Sequence, residues 1–349
     1  MTDRERWQLR GPVRSCRLER KWYSRRCGTN TCEVEERSDA TTIDFRVDGN
    51  LSRRSDHNPD GSEWASRYEY DDEGRLIQMR FETADDVANL CFYEYDDAGR
   101  LLRVLDRNGA GDRIVESYEY DTSGRKSKML HVDMAAQRSD THYSWSVEGT
   151  DSAYSAPGTA TLTTAYNHRG QPARLTFRDL TGRELSHVDF RYDDGGRLVE
   201  EAQTNSEEVL PSEMLAALNP AQLQTVRGFF GAGGESIRRT HAYDENGRRI
   251  ETRSNMGPLG FDRKTVTFNE YGDPLVEVHE HEEREFGIDE EGRIADTPSR
   301  ENVSRSEARF RYEYDSQGNW LSKTVESRSG SEDELSLSAV ERRTITYFA

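Results

Sequence analysis

The stretch Tyr68–Arg75, YEYDDEGR, decides the fold because it recurs along the chain at a regular interval. YEYDDAGR begins at Tyr93 and YEYDTSGR begins at Tyr118, so consecutive copies are 25 residues apart. A period of this length is typical of an array of similar structural units, each packed against the next. We therefore expect residues 1–349 to form one repeat domain rather than two or three unrelated domains.

Each copy has the residues of a tight β-hairpin. Asp71 and Gly74, at the first and fourth positions of the turn, are the signature of a type I turn closed by a G1 bulge. We expect the Asp71 carboxylate to accept a hydrogen bond from the backbone N–H two residues on, and Gly74 to adopt a left-handed conformation. Tyr68 and Tyr70 lie on one face of the preceding strand, because strand side chains alternate.

The hairpin residues recur in register, and the two ends of the hairpins differ. The aligned turn positions are Tyr70, Asp71, Gly74, Arg75, Tyr95, Asp96, Gly99, Arg100, Tyr120, Asp121, Gly124, Arg125, Tyr192, Asp193, Gly196, Arg197, Tyr243, Asp244, Gly247, Arg248, Tyr314, Asp315 and Gly318. Arg75 starts the return strand close to Tyr70, so we expect its guanidinium to stack on that ring. The opposite ends of the hairpins vary freely, which suggests that one edge of the sheet is structural and the other adaptable.

Two strands in each repeat give roughly two dozen strands in an antiparallel meander. The predicted fold class is therefore all-β, with the sheet coiled either into an open spiral or into a wide barrel-like shell. One copy is interrupted over residues 205–236 by a stretch with helical spacing, in which Asn219 and Pro220 mark a helix start. We interpret this helical insertion either as a cover for an open end of the sheet or as a binding element.

The charge of the chain excludes two classes of partner. Its 48 basic and 66 acidic residues give a net charge of −18, which repels phosphate groups. We expect no nucleic-acid partner and no binding to anionic membrane surfaces. No apolar run approaches the roughly 18 residues of a transmembrane helix, and the first residues contain no apolar signal segment. The sequence thus predicts a cytoplasmic protein, or one that is exported by a dedicated route or after removal of a signal.

The sequence offers little catalytic chemistry. The carboxylates beside the turn glycines recur in nearly every copy, whereas a catalytic acid should be singular. There is no nucleophile-elbow serine, phosphate-binding loop or dinucleotide motif. Glu277, His279, His281 and Glu283 alternate along one strand face, and we interpret them either as a candidate divalent-metal site or as a solvated strand face. We expect a protein that is not an enzyme and has no cofactor.

Three further residues are candidates for special roles. Cys27 and Cys32 flank the sequence GTNT between two strand-like runs, where they either form a cross-strand disulfide or remain reduced thiols. Trp64 lies outside the repeated turn positions. It is a candidate ligand surface, because sugar rings stack on indole rings by their apolar faces.

The pattern YxYDxxGRL, seen in YEYDDEGRL and YEYDDAGRL and approached by YEYDSQGNW, resembles the YD repeat of the Rhs family from Phe45 onward. The stretch LRGPVRSCRLERKWY also resembles the opening strand of small stand-alone bacterial YD-repeat proteins. The resemblance implies a sheet of hairpins that spirals into a hollow shell. In large members it implies a shell that encloses a toxin or displays ligands. We find no toxin-like segment after the repeats, so for this chain the resemblance predicts the fold and a binding role.

The residues and the resemblance together predict a non-enzymatic scaffold. We expect it to bind a protein partner or a surface glycan through its variable turns or a concave face. One alternative is a shell or chaperone-like partner for a separately encoded toxin. A second alternative is a metal-dependent hydrolase, which requires acidic residues outside the repeat to converge on one site.

Overall fold

A computed structural model describes residues 2–27, 32–83, 87–108, 111–131, 145–146, 153–154, 159–206, 234–288, 294–330 and 334–349. The chain divides into two compact units. Unit 1 comprises Met1–Ile114, Thr267–Glu277 and Ser306–Ala349, and unit 2 comprises Val115–Val266 and Val278–Arg305.

Almost all described elements are strands. Helix α1 spans Asp3–Arg6, and a 3₁₀ turn spans Gly257–Leu259. The first strands are β1 (Val13–Cys27), β2 (Cys32–Phe45), β3 (Leu51–His57), β4 (Glu63–Tyr70), β5 (Leu76–Thr83), β6 (Val87–Tyr95), β7 (Leu101–Asn108), β8 (Gly111–Tyr120), β9 (Lys126–His131), β10 (Trp145–Ser146) and β11 (Ala153–Tyr154). The others are β12 (Thr161–Tyr166), β13 (Pro172–Arg178), β14 (Glu184–Tyr192), β15 (Leu198–Asn205), β16 (Gly234–Tyr243), β17 (Arg249–Asn255), β18 (Gly260–Phe268), β19 (Pro274–Ile288), β20 (Ile294–Tyr314), β21 (Trp320–Ser329) and β22 (Ser336–Tyr347).

Twenty of these strands belong to one antiparallel sheet, and β10 and β11 form a separate two-stranded ladder. Strands that follow each other in the chain pair with each other, and β12 pairs with β9. The last strand, β22, pairs with the first, from Val13 opposite Tyr347 to Trp22 opposite Ala339. The predicted all-β antiparallel meander is therefore confirmed.

The helical insertion predicted over residues 205–236 cannot be compared in full, because 207–233 lie outside the described residues. At its margins, Asn205 is the last residue of β15 and Gly234 is the first of β16. The two strands pair through Gln203 opposite Ile237. Residues 207–233 thus connect two paired strands, and the pairing of these strands shifts register between Gln203 and Thr204.

The repeated turn closes through backbone and carboxylate hydrogen bonds. In the β6–β7 hairpin, the Gly99 N–H donates to the Asp96 carbonyl at 2.8 Å, and the Asp96 N–H donates to the Arg100 carbonyl at 2.9 Å. The Asp96 Oδ1 accepts from the backbone N–H groups of Ala98 and Arg100. Gly99 has a φ of +76°, and the pairing shifts register between Glu94 and Tyr95, as expected of a bulge beside the turn.

The arginine after the turn glycine joins two hairpins. Arg75 donates from Nε to its own Asp71 at 2.6 Å. Its guanidinium does not stack on Tyr70, as the sequence suggested, but lies 5.1 Å from the ring centre of Tyr95 in the next hairpin. The Tyr95 hydroxyl donates to the Leu76 carbonyl at 2.8 Å. Desolvation raises the pKa of Tyr95, so its hydroxyl remains a neutral donor.

The same link recurs in unit 2. Arg197 pairs with Asp193 and lies 5.3 Å from the ring centre of Tyr243, whose hydroxyl donates to the Leu198 carbonyl at 2.7 Å. In the same arrangement, the Arg125 guanidinium lies 4.6 Å from the ring centre of Tyr166. In these three turns, at Asp71, Asp121 and Asp193, the aspartate orients a cation that contacts the following hairpin.

Where the arginine is replaced, the tyrosine hydroxyl finds another acceptor. Asp273 stands at the arginine position after Gly272, and the Tyr314 hydroxyl donates to its carboxylate at 2.7 Å. The Asn269 side chain, at the aspartate position, donates to the same hydroxyl at 2.6 Å. These side chains preserve a connection between consecutive hairpins through hydrogen bonds instead of a stacked cation.

The turn type is not confined to one edge of the sheet. Asp179 and Gly182 form the same turn between β13 and β14, and Arg183 donates from Nε to Asp179 at 2.9 Å. This turn lies at the edge that the sequence suggested to be variable. It was missed because Arg178, not an aromatic residue, precedes the aspartate.

Each unit has a small apolar core. In unit 2 the buried cluster consists of Leu162, Leu175, Phe177, Leu185, Val188, Phe190 and Leu198. In unit 1 it consists of Leu9, Val13, Cys16, Ile43 and Phe45. The unit 1 core is covered by the segment that contains α1: the Arg4 N–H donates to the Gly49 carbonyl at 3.0 Å, and Arg10 donates to the Tyr271 carbonyl at 2.6 Å.

Substituting two glycines by alanine separates conformational strain from steric exclusion. Gly74 has a φ of +78° and open space around a Cβ position, so Gly74→Ala should cost about 1–2 kcal/mol of unfolding free energy through strain alone. At Gly260 a Cβ would lie 2.0 Å from the Glu282 carbonyl oxygen, so Gly260→Ala must displace β19 and should cost clearly more. Urea unfolding of both variants measures the difference, and equal losses would contradict this account.

Acid should weaken the turns. The Arg100 side-chain hydrogen bond, followed by that of its backbone amide, lowers the pKa of Asp96. The pKa is lowered in the same direction at Asp71, Asp121, Asp179, Asp193, Asp244 and Asp315. A lowered folded-state pKa contributes stability that is complete above the unfolded value of 3.8 and is lost as the pH falls through the folded value. Melting temperatures should therefore fall steeply below about pH 4.

A neutral turn provides the control for this acid effect. Asn167 and Gln171 occupy the aspartate and arginine positions of a turn with the same backbone bonds. Asp96→Asn with Arg100→Gln should therefore fold, be less stable than the parent at pH 7, and lose less of its stability between pH 5 and pH 2. Parallel melting curves for the two proteins over that range would refute the role assigned to the turn carboxylates.

Candidate interaction surface

The β1–β2 hairpin extends beyond the strands on either side of it. Its register is continuous from Ser15 opposite Asp44 to Cys27 opposite Cys32, without a shift. On one side the pairing with β22 ends at Trp22, and on the other side the pairing with β3 reaches only Ala40. Within the described part of the chain, residues 23–27 of β1 therefore pair only with β2, and residues 32–39 of β2 pair only with β1.

The root of this hairpin is fixed by a polar network. Arg20 forms a bidentate pair with Asp39 at 2.8 and 3.1 Å, and it also donates to the Thr41 hydroxyl. Thr41, which is buried, donates to Asp56 at 2.8 Å, and Arg54 pairs with the same carboxylate. Charge-assisted bidentate bonds of this kind fix orientation, so the outer part of the hairpin projects from a rigid base.

The outer part exposes apolar side chains among charges. Val34 is 64% exposed and Trp22 is 38% exposed. Two ion pairs lie beside them, Lys21–Glu36 at 2.7 Å and Glu35–Arg37 at 3.1 Å. Exposed pairs of this kind contribute little to stability. The hairpin is thus a projecting surface with apolar and exchangeable polar contacts.

Cys27 and Cys32 lie in this hairpin and are directly opposite in the strand register. The backbone of an antiparallel pair brings opposite Cα atoms within the range that a disulfide spans. The register permits the cross-strand disulfide, which is one of the two alternatives that the sequence left open, and the oxidation state of the pair stays a prediction. Of the other two cysteines, Cys16 is a buried free thiol whose pKa is raised by desolvation, and Cys91 is half-buried.

Trp64 lies on β4 and is 55% exposed. It shares a strand face with Tyr68 and Tyr70, at the end of β4 away from the repeated turn. Ser66 lies opposite Phe81, which places the half-exposed Phe81 diagonally beside Trp64 on the same face. The sequence singled out Trp64 alone, and the register adds Phe81 as a second exposed ring.

The candidate metal residues do not converge in the described part of the chain. His279 pairs from Nε2 with Asp262 on β18 at 2.5 Å. Among the described residues, no group of three or more His, Cys, Asp or Glu side chains is placed to hold a metal ion. Glu277 and Glu283 lie six residues apart on one extended strand, which separates them by about 20 Å, so the four side chains do not reach a common ion.

A buried polar chain in unit 2 was not anticipated from the sequence. His241 Nε2 lies 2.7 Å from Glu201 Oε1, and His241 Nδ1 lies 3.0 Å from the Thr252 hydroxyl. The His241 side chain is 0% exposed and that of Glu201 is 2% exposed; Arg239 lies 3.6 Å from the second carboxylate oxygen. The order hydroxyl–imidazole–carboxylate matches that of hydrolytic triads, but the imidazole is inaccessible to a substrate. This series of hydrogen bonds between Thr252, His241 and Glu201 is therefore structural.

The sequence signals these hydrogen-bonded residues only through the alternation of inward and outward positions along a strand. Glu201 and Gln203 occupy positions of β15 that face Phe190 and Val188 of β14, where apolar residues are expected. A carboxylate at an inward position needs a partner, but its partner His241 is 40 residues away in the sequence.

Comparisons with known proteins add a general likeness. No family model matches the chain, and no curated protein matches it. The chain is similar to a structure titled TcdB2-TccC3-Cdc42, with 11% identity and a TM-score of 0.27. The match covers 90% of this chain and 18% of that chain, so this chain spans less than a fifth of its length.

Two barrel-type structures are also similar to the chain. One is a porin-like protein from Bacteroides uniformis, with 10% identity, a TM-score of 0.31, and coverage of 97% of this chain and 98% of that chain. The other is OmpF from Salmonella typhi in complex with daunomycin, with 9% identity, a TM-score of 0.28, and coverage of 96% and 97%. At these scores the likenesses do not bear on function.

No helix in the described part of the chain has both the length and the apolar character needed to span a membrane.

The Glu201–His241 pair should be strongly coupled in stability. His241→Leu leaves the Glu201 carboxylate buried without its closest hydrogen bond, which should cost about 3–5 kcal/mol of unfolding free energy. The double variant Glu201→Leu, His241→Leu removes both polar groups and should be more stable than that single variant. A double-mutant cycle by urea unfolding measures this, and additive losses would show that the two side chains are independent.

Proposed function

We propose that this chain is a non-enzymatic YD-repeat scaffold of bacterial type that binds a protein partner through the β1–β2 hairpin. The observation that carries the proposal is the extension of this hairpin past both neighbouring strands, with Val34 and Trp22 exposed. In the repeated turns the polar groups form hydrogen bonds within the protein. The hairpin is where backbone and apolar groups are left for an external contact.

The exposed groups favour a protein over other partners. Unpaired strand edges and exposed valine and tryptophan side chains are costly in an isolated protein and are characteristic of interfaces. The rigid root formed by Arg20 and Asp39 lowers the entropy that binding would cost, because the hairpin is already ordered.

A surface glycan is a second candidate, favoured by the exposed rings of Trp64 and Phe81 on one strand face. Two adjacent rings offer a platform on which a sugar stacks by its apolar face. Quenching of tryptophan fluorescence on addition of oligosaccharides, compared between the parent and Trp64→Ala, tests this candidate. Binding that is retained in Trp64→Ala would remove it.

Site-specific photo-crosslinking tests the protein-partner proposal. A photo-reactive amino acid replaces Val34 on the hairpin or, as a matched control, Val47, which is 78% exposed on the turn between β2 and β3. Both side chains are exposed, so neither replacement should change stability by more than about 0.5 kcal/mol. The proteins are produced in cells that naturally make the chain, irradiated, and analysed by mass spectrometry.

We expect one crosslinked protein at position 34 and none at position 47. Equal crosslinking at the two positions, or crosslinking at position 47 alone, would contradict a partner at the hairpin.

A further inference from the structure

The outer half of β2 presents a long and regular free edge. It runs from Cys32 to Asp39, beyond Ala40, which has the last partner in β3. The described pairing with β1 continues along this half without a bulge. The segment, CEVEERSD, contains neither proline nor glycine. Short length, bulges and proline are the usual means by which natural sheets block the addition of a further strand, and none of them is present here.

Charged side chains also protect strand edges, and this edge carries them with one sign in excess. Four of its residues are acidic, Glu33, Glu35, Glu36 and Asp39, and one is basic, Arg37. Charges of one sign repel strands of the same sign but attract strands of the opposite sign. They therefore select a type of partner rather than exclude every strand.

The side chains along the edge are available for exchange. Glu36 pairs with Lys21 and Glu35 with Arg37, and all four side chains are 42–71% exposed, so these pairs stabilise the hairpin little. An incoming basic side chain can replace the present partner of either glutamate at small cost. Val34 lies between the acidic residues and offers an apolar contact to alternate positions of an added strand.

We propose that the free edge of β2 binds an extended basic segment of a partner protein by adding it to the sheet as a further strand. In this mode the backbone hydrogen bonds provide affinity, and the alternating side chains provide specificity. The inference rests on the proposed function and specifies how the partner binds. It requires contact at the edge of the hairpin rather than on its faces.

A second copy of this chain is a less favourable occupant. The outer part of β1 carries Arg25 and Arg26, so its edge complements the acidic edge of β2 in another molecule. Such a contact joins two different edges, however, and generates an open chain of molecules rather than a closed dimer. The net charge of −18 on each copy also opposes their approach.

Peptide binding to the full-length protein tests the inference. The probe is a fluorescent nine-residue peptide of alternating Lys and Val, blocked at both ends, and its counterpart is an alternating Glu and Val peptide. N-methylation of alternate residues would leave one edge of a strand intact, and a peptide can turn that edge to β2 by rotating about its own axis. One further Lys–Val peptide is therefore N-methylated on every residue, which keeps its charges and apolar side chains but leaves no backbone N–H donor on either edge for strand addition. Fluorescence anisotropy measures the affinities at low and at physiological salt.

We expect the Lys–Val peptide to bind, the Glu–Val peptide not to bind, and the fully N-methylated Lys–Val peptide to lose its affinity, because backbone hydrogen bonds provide the affinity of an added strand. The variant Glu35→Lys, Glu36→Lys should weaken binding of the Lys–Val peptide at least about tenfold, since like charges across an interface oppose association. The matched control Glu69→Lys, Glu94→Lys changes the same number of charges away from the hairpin and should leave binding within about twofold of the parent. Far-UV circular dichroism establishes that both variants fold.

Three outcomes would overturn the inference. They are no binding of the Lys–Val peptide, equal binding of the Lys–Val peptide and its fully N-methylated form, and concentration-dependent polymers of the protein in sedimentation velocity that Glu35→Lys, Glu36→Lys abolishes. If position 34 still crosslinks a partner while the peptide fails, the partner contacts a face of the hairpin. The proposed function then stands and strand addition is wrong.

Discussion

The contact between the arginine that follows a turn glycine and the tyrosine of the next hairpin is the interaction on which the rest of the structure depends. Arg75 is held at one end by Asp71 and at the other by the ring of Tyr95. A turn residue therefore acts beyond its own turn, because it orients the cation that holds the next hairpin. Apolar residues make up 33% of the chain and the buried clusters are small, so a sheet of this size needs such polar links in addition to its cores.

The sequence predicted the parts of the fold that are local. The period, the turn type and the antiparallel meander follow from residues within one hairpin. The partner of Arg75 could not be predicted, because it depends on the stagger between hairpins. The pairing of Val13 with Tyr347 joins residues from opposite ends of the sequence, and no local pattern indicates it. The Glu201–His241 pair depends on two residues that are unremarkable in isolation.

The candidate surface arises from a difference in strand length that the sequence does not mark. β1 and β2 read as ordinary strands, and their outer halves become free edges only because β3 and β22 end earlier. The candidate metal site shows the opposite relation between sequence and structure. Glu277, His279, His281 and Glu283 form an evident pattern in the sequence, but an extended strand holds them apart, and His279 pairs with Asp262 instead. Alternating residues of a strand share one face of the sheet, whereas the ligands of a metal ion must also approach a common point.

A double-mutant cycle between hairpins tests the central claim most directly. Arg75→Met and Tyr95→Leu are combined and unfolded in urea, and Arg75→Met with Tyr70→Leu provides the matched comparison within one hairpin. The structure predicts that the losses of unfolding free energy for Arg75 and Tyr95 are not additive, whereas those for Arg75 and Tyr70 are additive. Coupling of Arg75 to Tyr70, together with additive losses for Arg75 and Tyr95, would contradict the account that the arginine links one hairpin to the next.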